Sequence, residues 1–286
     1  MRREREQQAT APVPADDPVV LKFKPTLRRL ALNGVPALEI KPKGWRENKK
    51  ILVYAHGGCY VFGTANSSLD AIVPLAHEVG IRAISIDYTT APFAKWNDIT
   101  DQIIKVVSTL VSQGYKMNDI ALFGDSAGGG LVAAVTLKMR DKGMRLPAAL
   151  LLWSPWTDVT ETGDTYTTLK NEDPWYVYDL FSKPCANAYA DARDQKHPYV
   201  SPVYGDFEKR FPPTLIQVGT KETFLSNSVR LYQKLDTGGN EVRLDVYEGM
   251  PHVFPRAYHL PEAESAIRKA GRFIRGKLNI WSKLPL

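Results

Sequence analysis

Short unbroken apolar runs alternate along the chain with longer segments in which apolar residues recur every three or four positions. The runs "ILVYA" (51–55), "IRAISIDY" (81–88), "IALFG" (120–124), "AALLLW" (148–153), "TLIQV" (214–218) and "VRLDVY" (242–247) read as strands, "IRAISIDY" and "TLIQV" as buried ones. Helical spacing fills the gaps. Ser67-x-x-Asp70 resembles a capping box opening a helix that Gly80 closes. Asn97 is placed to cap a helix whose Ile99, Ile103, Val106, Val107, Leu110 and Val111 share one face, with Gly114 ending it. Further helices are expected over "AGGGLVAAVTLKMRDKG", 226–237 and 261–277. Ahead of the series, "LRRLALNGVPALEI" sets Asn33-Gly34 between two apolar segments, a hairpin signal. The order predicts an α/β fold: a mostly parallel sheet with helices on both faces, entered through an antiparallel hairpin.

One segment breaks the rhythm. Residues 157–210 separate two strands by more than an ordinary connection and hold Tyr166, Trp175, Tyr176, Tyr178, Phe181 and Tyr189 amid polar residues. They are expected to form a cap insertion over the sheet edge. Residues 1–26, polar and proline-bearing, read as an N-terminal arm supplying part of a helical cap. The core is then 27–156 together with 211–286.

Composition narrows the function classes. The chain has 286 residues and a net charge of +6, but outside the first few positions it has no dense Lys/Arg block, so a nucleic-acid partner is not expected. Two cysteines, Cys59 and Cys185, make no disulfide framework and favour a reducing compartment. The charged start "MRREREQQAT" is no secretory signal, and no apolar run reaches the ~18 residues that span a bilayer. A cytoplasmic, membrane-free protein is expected, without metal or cofactor. Helices and an edge strand near the C-terminus are compatible with a homodimer.

The chemistry sits at strand ends. "LFGDSAGGG" puts Gly124-Asp125-Ser126-Ala127-Gly128 between a strand and a helix, a G-x-S-x-G pattern in the context that presents a serine nucleophile. "VYAHGGCYVFG" follows another strand. Its small residues let main-chain N–H groups approach a substrate oxyanion. Gly58, Cys59 and Ala127 are the expected donors of an oxyanion hole, with Gly57 allowing the tight turn and His56 a structural residue of the loop.

The pair "HGGCY" and "GDSAG" resembles the hormone-sensitive-lipase family of bacterial carboxylesterases, of the α/β-hydrolase fold; "SIDYTTAP" and "SPWTD" sit where that family has similar stretches. The resemblance covers roughly residues 28–280. Cys59 replaces the family's usual third glycine, and Thr89-Thr90 its usual Arg-Leu. Of five histidines, His252 alone sits just past a C-terminal strand end, in "YEGMPHVF", which points to the general base. An orienting carboxylate is then expected after "TLIQV". The resemblance implies an aspartate where this chain has Lys221, which cannot accept a hydrogen bond; Glu222 beside it can. Glu222 is the expected acid, with Asp158 the competing choice.

The expectation is a serine carboxylesterase acting on short-chain acyl esters, small molecules, through an acyl-enzyme. An amidase or peptidase of the same fold and a non-catalytic binding protein are the alternatives. Phe62, Tyr88, Trp156, Trp175, Phe224 and Phe254 are candidate walls of the substrate pocket.

Overall fold

A computed structural model of the chain describes residues 11–13, 16–175 and 177–280, with the Phe181 side chain outside that set. The apolar runs become strands β1 (Thr26–Leu32), β2 (Val35–Lys41), β3 (Ile51–Ala55), β4 (Arg82–Ile86), β5 (Ile120–Asp125), β6 (Ala149–Trp153), β7 (Thr214–Gly219) and β8 (Val242–Tyr247). They form a sheet in the order β1-β2-β4-β3-β5-β6-β7-β8. β2 is antiparallel to both β1 and β4, and the other pairs are parallel. Asn33 and Gly34 take φ of 48° and 79°. Two successive left-handed residues are what a two-residue hairpin turn needs to match the twist of its strands.

The helices are α1 (Pro18–Phe23), α2 (Leu69–Val79), α3 (Trp96–Ser112), α4 (Ala127–Asp141), α5 (Thr165–Thr168), α6 (Tyr178–Tyr189), α7 (Leu225–Thr237) and α8 (Pro261–Lys277). Two cores lie on opposite faces of the sheet. On β3, Ile51, Val53 and Ala55 point into the core closed by α3, α4 and α7. Leu52 and Tyr54 point into the core closed by α1, α2 and α8. A strand covered on both sides gains from every residue, which is why no polar alternation appears in it.

Local signals fared unevenly. Gly80 closes α2 in a left-handed conformation, its N–H donating to the Ala76 carbonyl. The capping box does not form: Ser67 Oγ accepts from Thr64 N–H at 2.9 Å, and Asp70 turns to Arg256. α3 starts one residue before Asn97, the Lys95 carbonyl accepting from Ile99 N–H, and Val111 stays exposed while the rest of the predicted stripe is buried.

Between β6 and β7 the chain makes α5, α6 and two short 3₁₀ turns. Tyr166, Tyr178 and Tyr189 are buried. They pack on Phe224, Trp156 and Tyr60, residues that follow β7, β6 and β3. The aromatic content thus lies over the C-terminal ends of the strands, where open parallel sheets carry their sites. Tyr176 and residues 1–10 of the arm lie outside the described residues. Within the arm, Asp17 Oδ1 caps α1, and Phe23 packs edge-on against His77 of α2.

α4 reaches the sheet through glycines. A Cβ on Gly130 would lie 2.0 Å from the Trp156 carbonyl oxygen. Gly130→Ala should therefore push the helix off the segment after β6 and destabilise the protein by roughly 1–3 kcal/mol. A thermal melt several degrees below wild type is expected; an unchanged melt would show that the segment yields freely.

Candidate active site

Ser126 links β5 to α4 with φ 53° and ψ −123°. A left-handed non-glycine residue is strained and persists only where its surroundings hold it. Here its N–H donates to the Trp153 carbonyl and its carbonyl accepts from Trp156 N–H, both at 2.8 Å. The flanking glycines are steric necessities. A Cβ on Gly124 would meet the Gly128 carbonyl oxygen at 2.2 Å, and one on Gly128 the Ala55 carbonyl oxygen at 2.0 Å. The turn aims the hydroxyl outward at the N-terminus of α4, where helix dipoles favour negative charge.

His252 Nε2 lies 2.9 Å from Ser126 Oγ. Its Nδ1 lies 2.8 Å from Glu222 Oε2. Glu222 is fully buried, and its Oε1 accepts from Gly219 N–H at 2.7 Å and from the Ser154 hydroxyl at 2.8 Å. Lys221 points outward. Burial raises the Glu222 carboxyl above its ordinary range, only partly countered by His252 and these two donors. For His252 burial works against the charged ring, but the Glu222 hydrogen bond and charge outweigh it and hold the imidazole above its ordinary value.

The histidine's main chain is fixed as firmly. His252 N–H donates to Asp173 Oδ2 at 2.7 Å, and Val253 N–H to Ser154 Oγ at 3.0 Å. Val253 takes φ 52°, an outlier for a β-branched residue. The Phe224 ring meets the imidazole edge-on at 5.0 Å. Ser126 and His252 open into a cavity of ≈ 500 Å³, also lined by Gly58, Cys59, Asp70, Asp125, Trp175, Arg256 and His259.

A family model described as alpha/beta hydrolase fold matches residues 52–256. An esterase of Acinetobacter venetianus is 30% identical over 86% of this chain and 81% of its own. An acetyl-hydrolase of Streptomyces hygroscopicus is 33% identical over 80% and 77%. The crystal structure of an esterase from the bacterial hormone-sensitive lipase family superposes with a TM-score of 0.85 at 34% identity, over 96% of this chain and 95% of that one. This chain belongs to the hormone-sensitive-lipase family of α/β hydrolases.

In this member of the hormone-sensitive-lipase family, the loop after β3 differs from the sequence expectation in one respect. The Gly57 N–H is taken by Asp125 Oδ1 at 2.9 Å, so Gly57 anchors the loop and does not face the serine. Its smallness matters because a Cβ would sit 2.7 Å from Asp125 Oδ2. The turn itself falls on Gly58, Cys59 and Tyr60, with φ of 104°, 55° and 64°. Cys59 therefore takes a left-handed conformation, while its thiol faces Ser182 of α6 at 3.4 Å. His56 is buried, stacked on Tyr88 and turned to the Gly57 carbonyl, as a structural residue should be.

Of the six proposed wall residues, Trp175 lines the cavity. Phe62 is exposed. Tyr88, Trp156, Phe224 and Phe254 are fully buried and are corrected to packing residues. Each has a partner that draws it inward: Tyr88 donates to the His56 carbonyl, the Trp156 indole to the Asp158 carbonyl, Phe224 backs the imidazole, and Phe254 packs on Tyr247. Asp158, the competing acid, is spent elsewhere, on Arg230 at 2.6 Å, Thr160 and Tyr204. Three contributors escaped the sequence reading: Ser154, Asp173 and the Asp70–Arg256 pair. Ser154 had a visible signal, a serine at the very end of a buried strand; the others meet the site only through tertiary contacts.

Because Glu222 is what holds the imidazole up, histidine-selective NMR should find the His252 ring titrating above 6.5 in the wild type. In Glu222→Gln the largest influence favouring the charged ring is lost while burial remains, and the ring should titrate lower than in the wild type. An unchanged titration would mean that Glu222 is not the dominant partner.

Proposed function

We propose that this chain is a serine carboxylesterase in which Ser126 is the nucleophile, His252 the general base and Glu222 its orienting acid. The observation that carries the reading is the continuous hydrogen-bonded chain from Ser126 Oγ through both nitrogens of His252 to a buried carboxylate, opening on a cavity. Ser126 Oγ attacks the ester carbonyl while Nε2 takes its proton. The resulting imidazolium is stabilised by Glu222, which keeps its own charge. Collapse of the tetrahedral intermediate expels the alcohol, protonated by His252, and leaves an acyl-serine. Water, deprotonated by the same nitrogen, then attacks the acyl-serine and releases the acid. The main-chain N–H groups of Gly58, Cys59 and Ala127 are assigned to the oxyanion, charge that develops at the helix N-terminus.

A compartment without disulfide chemistry, the cytoplasm, is supported by two buried cysteines in the thiol form; no described helix is long and apolar enough to cross a membrane. Short acyl groups suit a site roofed by compact aromatic segments, and the relative named acetyl-hydrolase supports this preference.

Ser126→Ala should fold and lose at least about a thousandfold in rate. Glu222→Gln should approach a loss of about 10⁴ in kcat, through the wrong tautomer or a missing counter-charge. Lys221→Ala should stay near wild type. Steady-state hydrolysis of p-nitrophenyl acetate by all three, with circular dichroism to confirm folding, decides the assignment; Ser126→Ala within a few-fold of wild type would remove the nucleophile. Across p-nitrophenyl esters from acetate to palmitate, rates should fall as the chain lengthens. A steady climb would instead indicate a lipase.

A further inference from the structure

The insertion does more than roof the cavity. Asp173, just ahead of Pro174 and almost wholly buried, uses both carboxylate oxygens on main-chain donors. Oδ1 accepts from Trp175 N–H at 2.8 Å, and Oδ2 from His252 N–H at 2.7 Å, a residue 79 positions away. One donor belongs to the cavity wall, the other to the base. Resting on the Ser126–His252–Glu222 reading, we propose that Asp173 is a positioning residue for ester hydrolysis, tying the main chain of the base to the cap and placing a second negative charge beside the ring that becomes an imidazolium.

The geometry explains why a carboxylate is required. The His252 main chain precedes the strained Val253, so the loop has no regular structure to aim its ring. Two side chains take over, Ser154 at Val253 and Asp173 at His252. An asparagine has one acceptor oxygen where Asp173 has two, and its amide would confront one of the two N–H groups donor to donor. The charged and titratable groups around the ring come from every neighbouring segment: Glu222 after β7, Asp173 of the insertion, the Cys59 thiol after β3, Asp125 at the end of β5, Asp70 of α2, and Arg256 and His259 downstream. After the Glu222 hydrogen bond and charge, Asp173 is the next group favouring the protonated ring.

The test compares wild type, Asp173→Asn and Asp173→Glu as full chains, by kcat and KM for p-nitrophenyl butyrate from about pH 5 to about pH 9. Thermal melts accompany the kinetics. A base must be neutral to accept the serine proton. Removing a negative charge lowers the ring's affinity for protons, so the acidic limb of kcat/KM in Asp173→Asn should move down by about half a unit to one unit. Its kcat should fall about tenfold with little change in KM, the mark of a misplaced base. Asp173→Glu keeps the charge and should keep the wild-type limb. A limb that stays put in Asp173→Asn overturns the proposal, whether kcat is unchanged or falls only in step with the melting temperature. Should Asp173→Asn fail to fold, Asp173→Ser gives a second neutral variant read the same way. Ser126→Ala in the same assay separates the two readings. Turnover in that variant would defeat the triad itself, whereas an inactive Ser126→Ala beside an unmoved limb would defeat only the role of Asp173.

Discussion

A carboxylate taken entirely out of water must have its lone pairs met by donors, or the charge is too costly to bury. Glu222 is in that position, and its needs organise the C-terminal edge of the sheet. Gly219 N–H comes from the end of its own strand, the Ser154 hydroxyl from the end of β6 and the imidazole from the loop after β8. Those three donors lie on three neighbouring strand ends. Losing any one would leave a buried charge short of a partner, so the register of β6, β7 and β8 and the state of the site are one condition.

Strain is gathered at the same place. Ser126, Ser154 and Val253 all have positive φ, as do Cys59 and Tyr60 in the loop after β3. Each such residue costs on the order of 1–3 kcal/mol and must be overruled by its surroundings. The overruling contacts are visible. Asp125 fixes the β3 loop through Gly57 while also accepting from the Tyr54 hydroxyl at 2.5 Å, and Ser154 donates to Glu222 while accepting from Val253. These two connecting side chains are those immediately before the proposed nucleophile and at the next strand end.

The strands were legible because β3 to β7 are buried on both faces, so burial left unbroken apolar runs in the sequence. The turn that carries Ser126, the proposed nucleophile, was legible because close packing permits only glycine at 124 and 128. The contact between His252 and Glu222, the proposed base and acid, was anticipated from strand ends and from what lysine cannot do. Helix starts were less legible. Ser67 and Asp70 had the spacing of a cap, but an arginine 186 positions away claimed the aspartate. The pocket walls failed for a related reason: an aromatic residue in a loop near a site is as well suited to packing behind the catalytic groups as to facing a substrate. Asp173 was invisible for want of any local pattern, since what defines it is a contact between an insertion and a distant loop.

The order of the parts along the chain bears on how the protein is made. The proposed nucleophile follows β5, the proposed acid follows β7, and the loop bearing His252 follows β8. Synthesis runs from the N-terminus, so a growing chain presents its serine well before a base exists to activate it. Until β8 pairs with β7 and the loop bearing His252 folds back, the proposed nucleophile is an unactivated hydroxyl.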